Sequence, residues 1–93
     1  MAFAKKIDKN QQEIVAKFRE LGFSVCITSH IGQGFPDILV GKDNKHTILV
    51  EIKSSRTAKF TDAQMEFMRN WKGGPVIRIH DIEGVETVAN MLK

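Results

Sequence analysis

Two acidic residues and a lysine occupy positions that a β-hairpin would bring together. Asp37 opens one apolar run, and Glu51 and Lys53 close the next run along the chain. The turn between the two runs is centred on Asn44, so folding the chain back about this residue places Asp37 directly opposite Glu51. Lys53 then lies on the same face as Glu51, because strand side chains alternate with a period of two. The sequence therefore predicts two carboxylates and one ammonium group at the end of a hairpin.

Such a cluster indicates a particular chemistry. The Cβ atoms of two opposed carboxylates are about 5 Å apart, a spacing at which like charges are destabilising. A divalent cation would compensate this repulsion, and carboxylate oxygens are the ligands that Mg²⁺ and Mn²⁺ prefer. The backbone carbonyl of Ile52 is a further candidate ligand, and Lys53 beside the cation could stabilise a phosphorane or orient a water. We therefore expect a metal-dependent phosphodiesterase, with Asp37, Glu51 and Ile52 around the metal.

A simpler interpretation of these residues is a charged pair exposed at a strand end. Isolated Glu-x-Lys pairs of this kind are common and contribute little energy. Three features favour a site instead: Asp37 at the mirrored position, the Gly-Phe-Pro sequence before it, and the apolar strand that leads to Glu51.

The bulk properties of the chain restrict its class. Its 93 residues suffice for one small domain but not for two. A formal charge of +3 is compatible with a polyanionic partner without requiring one. The single cysteine, Cys26, excludes an internal disulfide and a multi-cysteine zinc site, and its apolar neighbours predict that it is packed. No segment resembles a signal peptide or a membrane span, so we expect no membrane contact and a cytoplasmic location, in a bacterium or a phage-infected host.

Hydrophobic periodicity predicts the element order α-β-β-β-α-β-α. The first helix has Asp8 as its N-cap and ends at Gly22, and a strand and a glycine-rich loop then lead to the hairpin. Thr61 and Gln64 form a second capping box, which opens a helix that extends to about Trp71. A last strand and an amphipathic helix complete the chain.

The two faces of the expected hairpin differ in polarity. One face is apolar throughout and comprises Ile38, Val40, Ile48, Val50 and Ile52. The other face is apolar only in its middle, at Leu39 and Leu49, and turns polar at the end that carries the acidic pair. A sheet that is covered on both sides and has charges at one end is typical of the sites of α/β proteins.

These motifs and their order resemble the signature of the PD-(D/E)xK nuclease superfamily. The residues that carry the resemblance are Pro36-Asp37, followed by a hairpin and then by Glu51-Ile52-Lys53. The element order is also similar to the core of that superfamily. The resemblance covers nearly the whole chain and implies an α/β, restriction-endonuclease-like fold, with a central mixed sheet flanked by helices.

Two relatives within the superfamily are similar to this chain. The VRR-NUC (virus-type replication-repair nuclease) domain resembles it in compactness, in Gly34-Phe35-Pro36-Asp37, and in the Thr61-to-Trp71 helix followed by Gly74-Pro75-Val76. The archaeal Holliday-junction resolvases resemble it in the segment from Glu13 to Gly22-Phe23. The resemblance implies a single VRR-NUC-like nuclease domain over residues 1–93.

The resemblance also implies roles for individual residues. Asp37 and Glu51 would be the principal ligands of one or two Mg²⁺ or Mn²⁺ ions, and Lys53 would position or activate the attacking water. Glu13 would reach the metal from the first helix, directly or through water, and the alternative is an exposed helical glutamate. Gln64 resembles a catalytic-site glutamine that follows the Glu-x-Lys strand in many of these nucleases, and the alternative is capping alone.

Residues that flank the expected site are candidates for DNA contacts. Arg56 and Lys59 follow Lys53 in a basic run that can hold phosphates without reading base sequence, or that can be an ordinary solvated loop. The resemblance to the resolvases implies that the loop carrying Ser29 approaches the scissile phosphate, and we expect His30 beside it to be exposed. We expect the later aromatic residues to pack in the core rather than to stack on bases: Phe60, Phe67 and Trp71.

Residues and resemblance together predict an endonuclease that hydrolyses phosphodiester bonds in DNA, selective for branched DNA such as Holliday junctions and acting in DNA repair. A homodimer would present two sites to a two-fold symmetric junction. The candidates for the shared surface are Phe3, Ile7, Val85, Val88 and Leu92, and the alternative is that all five complete the core of the monomer. Two alternatives stay open: a catalytically inactive nucleic-acid-binding module of the same fold, and an interaction domain of a phage or mobile element.

Overall fold

The structure, a computed structural model, describes residues 9–93. The expected N-cap Asp8 and the expected dimer residues Phe3 and Ile7 lie outside this range. The described range contains, in order, α1 (Lys9–Glu20), β1 (Ser24–Ile27), β2 (Ile38–Lys42), β3 (His46–Ile52), α2 (Asp62–Asn70), β4 (Val76–Ile79) and α3 (Ile82–Met91). None of the helices in this range is long and apolar enough to cross a membrane. The predicted element order is confirmed.

Within the described residues, the four strands form one mixed sheet in the order β1-β2-β3-β4. The first three strands pair antiparallel, and β4 pairs parallel to β3 after α2 has crossed over. Ile38 pairs with Val50 and Lys42 with His46, which is the register of a hairpin centred on Asn44. Asn44 has a φ of 53°, in the left-handed region that asparagine adopts more readily than most residues. The predicted register and the predicted mixed sheet are confirmed.

One face of the sheet, here called the core face, is covered by α1 and α3. Its residues come from the apolar stripe of α1, alternate positions of the strands, and one side of α3. The buried members are Ile14, Val15, Phe18, Phe23, Ile38, Val40, Ile48, Val50, Ile79, Val85 and Val88. α3 is positioned by its N-cap Asp81, whose side chain accepts a hydrogen bond from the N–H of Gly84.

The apolar side of α3 is not available as a dimer surface. Val85 and Val88 are 0% and 4% exposed, and Leu92 packs against the same core. Of the two interpretations of these three residues, the monomer core is confirmed and the shared surface is not, because they pack in the core of their own chain. A dimer of this protein would have to use a different surface.

The opposite face of the sheet, here called the site face, is covered only in part by α2. This helix contributes no buried residue. Leu49 on the site face is buried and Leu39 is half-buried, whereas Cys26, the partner of Leu39 on β1, is exposed. The expectation that Cys26 is packed is wrong, because β1 is an edge strand and Cys26 points away from the core, between the core-facing Val25 and Ile27.

Candidate active site

Asp37 is fixed at the start of β2 by hydrogen bonds to both neighbouring strands. Its carbonyl accepts a bond from the N–H of Thr28 (2.8 Å), and its N–H donates to the carbonyl of Val50 (3.0 Å). Its carboxylate oxygen Oδ2 accepts a bond from the N–H of Ile52 (2.8 Å). Because the hairpin register continues past Ile38, the Asp37 carboxylate lies at the same end of the hairpin as Glu51.

Glu51, Lys53 and Gln64 form a closed polar cluster at this end of the site face. Glu51 is only 4% exposed. The Nε2 of Gln64 donates to Glu51 Oε2 at 2.6 Å, and the Nζ of Lys53 lies 3.8 Å from the same oxygen. Lys53 Nζ also donates to Gln64 Oε1 at 2.6 Å. The charge of the buried carboxylate is therefore compensated in part by the protein itself, and not only by the cation that the opposed carboxylates led us to expect.

The amide of Gln64 serves the helix and the cluster at the same time. Its Oε1 accepts a hydrogen bond from the N–H of Thr61 (2.9 Å), and its own N–H donates to Thr61 Oγ1 (3.1 Å), which completes the predicted capping box. Because Oε1 faces two donors and Nε2 faces a carboxylate, a reversed amide would lose these bonds. Capping and contact with Glu51 and Lys53 thus coexist in one side chain, while a catalytic role for Gln64 stays a prediction.

The glycine-rich loop before Asp37 rests directly on the start of α2. Gly34 has a φ of 79°, and a Cβ atom here would collide with the carbonyl of Ala63 and lie 2.8 Å from the backbone nitrogen of Gln64. Only glycine allows the loop and the helix to approach so closely. Thr28 closes the base of the loop, because its Oγ1 donates to the carbonyl of the residue before Asp37 at 2.8 Å. These contacts couple the position of Asp37 to that of the helix that carries Gln64.

Aromatic packing continues along α2 beyond the polar cluster. Phe35 contacts Phe67 edge-on, with ring centroids 5.2 Å apart, and Phe67 stacks on Trp71 at 5.3 Å. Phe60 and Phe67 are half-buried, whereas Trp71 is 41% exposed and donates its Nε1–H to the carbonyl of Gly74. The expectation that these aromatics lie in the core is therefore wrong for Trp71, because α2 and its neighbours cover this face only in part.

Glu13 is not brought together with the two other carboxylates. It is exposed on α1, and within residues 9–93 no group of three or more His, Cys, Asp or Glu side chains is arranged to hold a metal ion. A contact of Glu13 with a metal, directly or through water, remains a prediction.

Asn10 connects α1 to the cluster, although the sequence did not single it out. Its Nδ2 donates to the carbonyl of Lys53 (2.9 Å) and to the carbonyl of His80 (3.3 Å). The helix on the core face therefore helps to fix the backbone of Lys53. No local sequence signal predicts this bond, since it joins residues 43 positions apart.

The residues expected to contact DNA lie on two loops next to the cluster. Arg56 and Lys59 are exposed on the loop between β3 and α2, and they line an open groove together with Arg78, which the sequence did not single out. Ser29 is half-buried at the start of the glycine-rich loop, and His30 is exposed as expected. Their places in the structure are compatible with phosphate contacts, and DNA binding by them stays a prediction.

The donor set at the end of the hairpin fits a hard divalent cation. Asp37 uses one carboxylate oxygen for the N–H of Ile52, and within residues 9–93 its second oxygen accepts no hydrogen bond. The carbonyl of Ile52 lies on the same edge of β3 as its N–H, toward Asp37. Mg²⁺ keeps several of its waters and needs few protein oxygens, so Asp37, Glu51 and this carbonyl suffice chemically.

Comparison with known proteins gives one strong similarity. No family model and no curated protein matches the chain. A solved structure described as a VRR_NUC domain is similar to this chain, with a TM-score of 0.76 and 23% sequence identity. The alignment covers 91% of this chain and 95% of the chain in that structure. At this level of identity the likeness establishes the fold. The chain therefore has the fold of a VRR_NUC domain, as the resemblance of its motifs predicted.

Proposed function

We propose that the protein is a metal-dependent endonuclease that hydrolyses phosphodiester bonds in DNA. The observation that carries this proposal is the gathering of Asp37, Glu51, Lys53 and Gln64 at one end of the less covered face of the sheet. A buried carboxylate beside a second carboxylate and a held lysine is an arrangement suited to phosphoryl chemistry rather than to packing. The likeness to a VRR_NUC domain supports the same conclusion.

In this proposal, Asp37 and Glu51 hold one or two Mg²⁺ or Mn²⁺ ions, with the Ile52 carbonyl as a further ligand. When bound, such a cation polarises the phosphate and lowers the pKa of a coordinated water. Lys53 offers its ammonium protons to the phosphate oxygens that gain charge as the bond breaks. Gln64 keeps the Lys53 ammonium and the Glu51 carboxylate in fixed positions, so that little reorganisation is needed when substrate arrives.

We also propose a substrate and an oligomeric state for the nuclease. Arg56, Lys59 and Ser29 would hold the DNA backbone without reading its sequence. We propose branched DNA, such as a four-way junction, as the substrate and a homodimer as the active form, because two related sites match a two-fold symmetric junction. Sedimentation at micromolar concentration tests the dimer, and a monomer that makes symmetric paired nicks in junctions would overturn the symmetry argument.

A cleavage assay tests the proposed function. Purified protein would be incubated with linear duplex, single-stranded, flap and four-way-junction DNA in EDTA, Mg²⁺ or Mn²⁺. We expect cleavage only with a divalent ion and none by Glu51→Gln. Salt-dependent DNA binding without cleavage in any metal would favour the inactive binding module. Absence of both cleavage and salt-dependent binding would favour the interaction domain.

A further inference from the structure

We propose that Arg78 is a positioning residue for Lys53, acting through the loop at residues 54–60 and the ring of Phe60. This inference rests on the proposed nuclease function for its effect on catalysis, but not for its geometry. Arg78 lies on β4 directly beside Glu51 in the parallel register of β3 and β4, and so it belongs to the site face.

The guanidinium of Arg78 fixes the backbone of the loop that follows Lys53. Its Nη2 donates to the carbonyl of Ser55 at 3.0 Å and to the carbonyl of Ala58 at 2.5 Å. The N–H of Ala58 donates in turn to the Ser55 carbonyl at 3.3 Å, so the two acceptors belong to one turn. One side chain on β4 therefore holds a turn between β3 and α2 that would otherwise have few anchors.

Phe60 joins this anchor to the catalytic lysine. The Cζ of Arg78 lies 5.6 Å from the centroid of the Phe60 ring, and the Nζ of Lys53 lies 5.3 Å from the same centroid. Both distances are within the range of cation–π attraction. The ring therefore has a fixed position relative to β4, and it offers Lys53 a third contact besides Gln64 and Glu51.

A third contact matters because lysine is a flexible side chain. Lysine loses much of its rotamer entropy when it is held in one conformation. A displacement of about 1 Å at a reacting centre can lower a rate on the order of a hundredfold. Only 12% of the Lys53 side chain is exposed, so neighbouring protein atoms rather than solvent surround it and limit its conformations. Arg78 thus acts on the reaction by fixing the Phe60 ring, which contacts Lys53.

Single-turnover kinetics and DNA affinity test the proposal together. The variants are Arg78→Met, Arg78→Lys and Phe60→Leu, with Arg69→Met as the matched control, since Arg69 is an exposed arginine on α2. We expect Arg78→Met and Phe60→Leu to lower the single-turnover rate constant on the order of tenfold and to change the Kd for DNA in EDTA by a clearly smaller factor. Arg78→Lys should recover part of the rate, and Arg69→Met should change neither quantity.

A weaker affinity with a flatter salt dependence, at an unchanged rate constant, would make Arg78 a phosphate clamp and overturn the proposal. Thermal denaturation shows which variants are folded. If Arg78→Met does not fold, Phe60→Leu still tests whether the ring contact positions Lys53.

An NMR readout separates this proposal from the proposed function. The Nζ of Lys53 lies 5.3 Å from the centroid of the Phe60 ring, so we expect a ring-current shift of the adjacent ε-CH₂ protons that disappears in Phe60→Leu and shrinks in Arg78→Met. If this shift depends on Arg78 while wild-type protein cuts no DNA, the nuclease assignment fails and the positioning role stands. If wild-type protein cuts DNA while Arg78→Met leaves both the Lys53 signal and the rate unchanged, the positioning role fails and the nuclease assignment stands.

Discussion

The core face and the site face of the sheet use the same strands in opposite ways. On the core face, α1 and α3 bury a large set of aliphatic and aromatic side chains. On the site face, α2 has no buried residue, yet Glu51 beneath it is 4% exposed. α2 contacts this buried carboxylate through the polar Gln64 rather than through an apolar side chain.

This difference teaches how α2 is held in place. On the core face, hydrophobic burial positions the helices, and this attraction has no preferred direction. On the site face, α2 is positioned by the backbone of Gly34, by the contact of Phe35 with Phe67, and by the bonds of Gln64. Hydrogen bonds and close backbone contacts are directional, so they can fix a catalytic geometry. Substitutions on the core face should therefore change mainly the free energy of unfolding, and substitutions on the site face should change mainly the cleavage rate.

The largest expected effects on cleavage come from the acidic pair of the site face, and Val50, which is adjacent to Glu51 on β3 but points to the core face, is the control. Glu51→Gln and Asp37→Asn should lower the cleavage rate on the order of a thousandfold or more, because each removes a metal-binding charge, while the variants remain folded. Val50→Ala should destabilise the protein by about 2–3 kcal/mol, because Val50 is 0% exposed, and should leave the cleavage rate of the folded protein within a few-fold.

Chemical denaturation and single-turnover cleavage measure the two quantities for each variant. The comparison fails if Glu51→Gln cuts DNA at nearly the wild-type rate, or if Val50→Ala is as inactive as Glu51→Gln while still folded.

A smaller effect should separate Lys53 from the basic residues of the neighbouring loop. Lys53→Ala should lower the cleavage rate on the order of a hundredfold with little change in DNA affinity, because Lys53 is held within the cluster. Arg56→Ala and Lys59→Ala should weaken binding and reduce the slope of log K against log salt by about one for each phosphate that is no longer bound. Equal effects of all three substitutions on affinity alone would identify Lys53 as an ordinary phosphate clamp.

Two glycines of the same loop provide a matched pair for the contact with α2. Gly34→Ala should cost about 3 kcal/mol of stability and also lower cleavage, because the new methyl group meets the backbone of Ala63. Gly32→Ala should cost about 1 kcal/mol, because its φ is 81° but no atom lies within 4 Å of the added carbon. Equal decreases in stability in the two variants would show that the loop does not rest on α2.

The smallest effect concerns the uncovered part of the site face. Cys26 is exposed, so a maleimide or disulfide reagent should label it in native buffer at a rate within about tenfold of that of the unfolded chain. Labelling should leave the melting temperature nearly unchanged, since Cys26 points away from the core. Labelling that requires denaturant would show that this edge of the sheet is covered.

Local features of the sequence were sufficient for the hairpin and for the capping box. The register follows from alternation about Asn44, and the bond pattern of Thr61 and Gln64 lies within one helical turn. These predictions succeed because the interacting groups are close in the chain. The same locality explains why Asp37 and Glu51 could be placed together before any tertiary structure was known.

Contacts between distant segments could not be predicted in the same way. The bond from Asn10 to Lys53, the contact of Gly34 with Ala63 and the anchoring by Arg78 all depend on how elements are packed. Periodicity also identifies the apolar side of a helix without identifying its partner, so the sequence left both a dimer surface and the monomer core open for α3.

The binding of a divalent ion to the site face is the central claim, and paramagnetic NMR tests it most directly. Substoichiometric Mn²⁺ would be added to ¹⁵N-labelled wild-type protein and to Asp37→Asn and Glu51→Gln. We expect the amide signal of Ile52 to broaden first in wild type, the signal of Val88 on α3 to be unaffected, and both variants to lose the broadening of Ile52. Broadening of Ile52 that persists in both variants, or broadening centred elsewhere in the chain, would contradict the account.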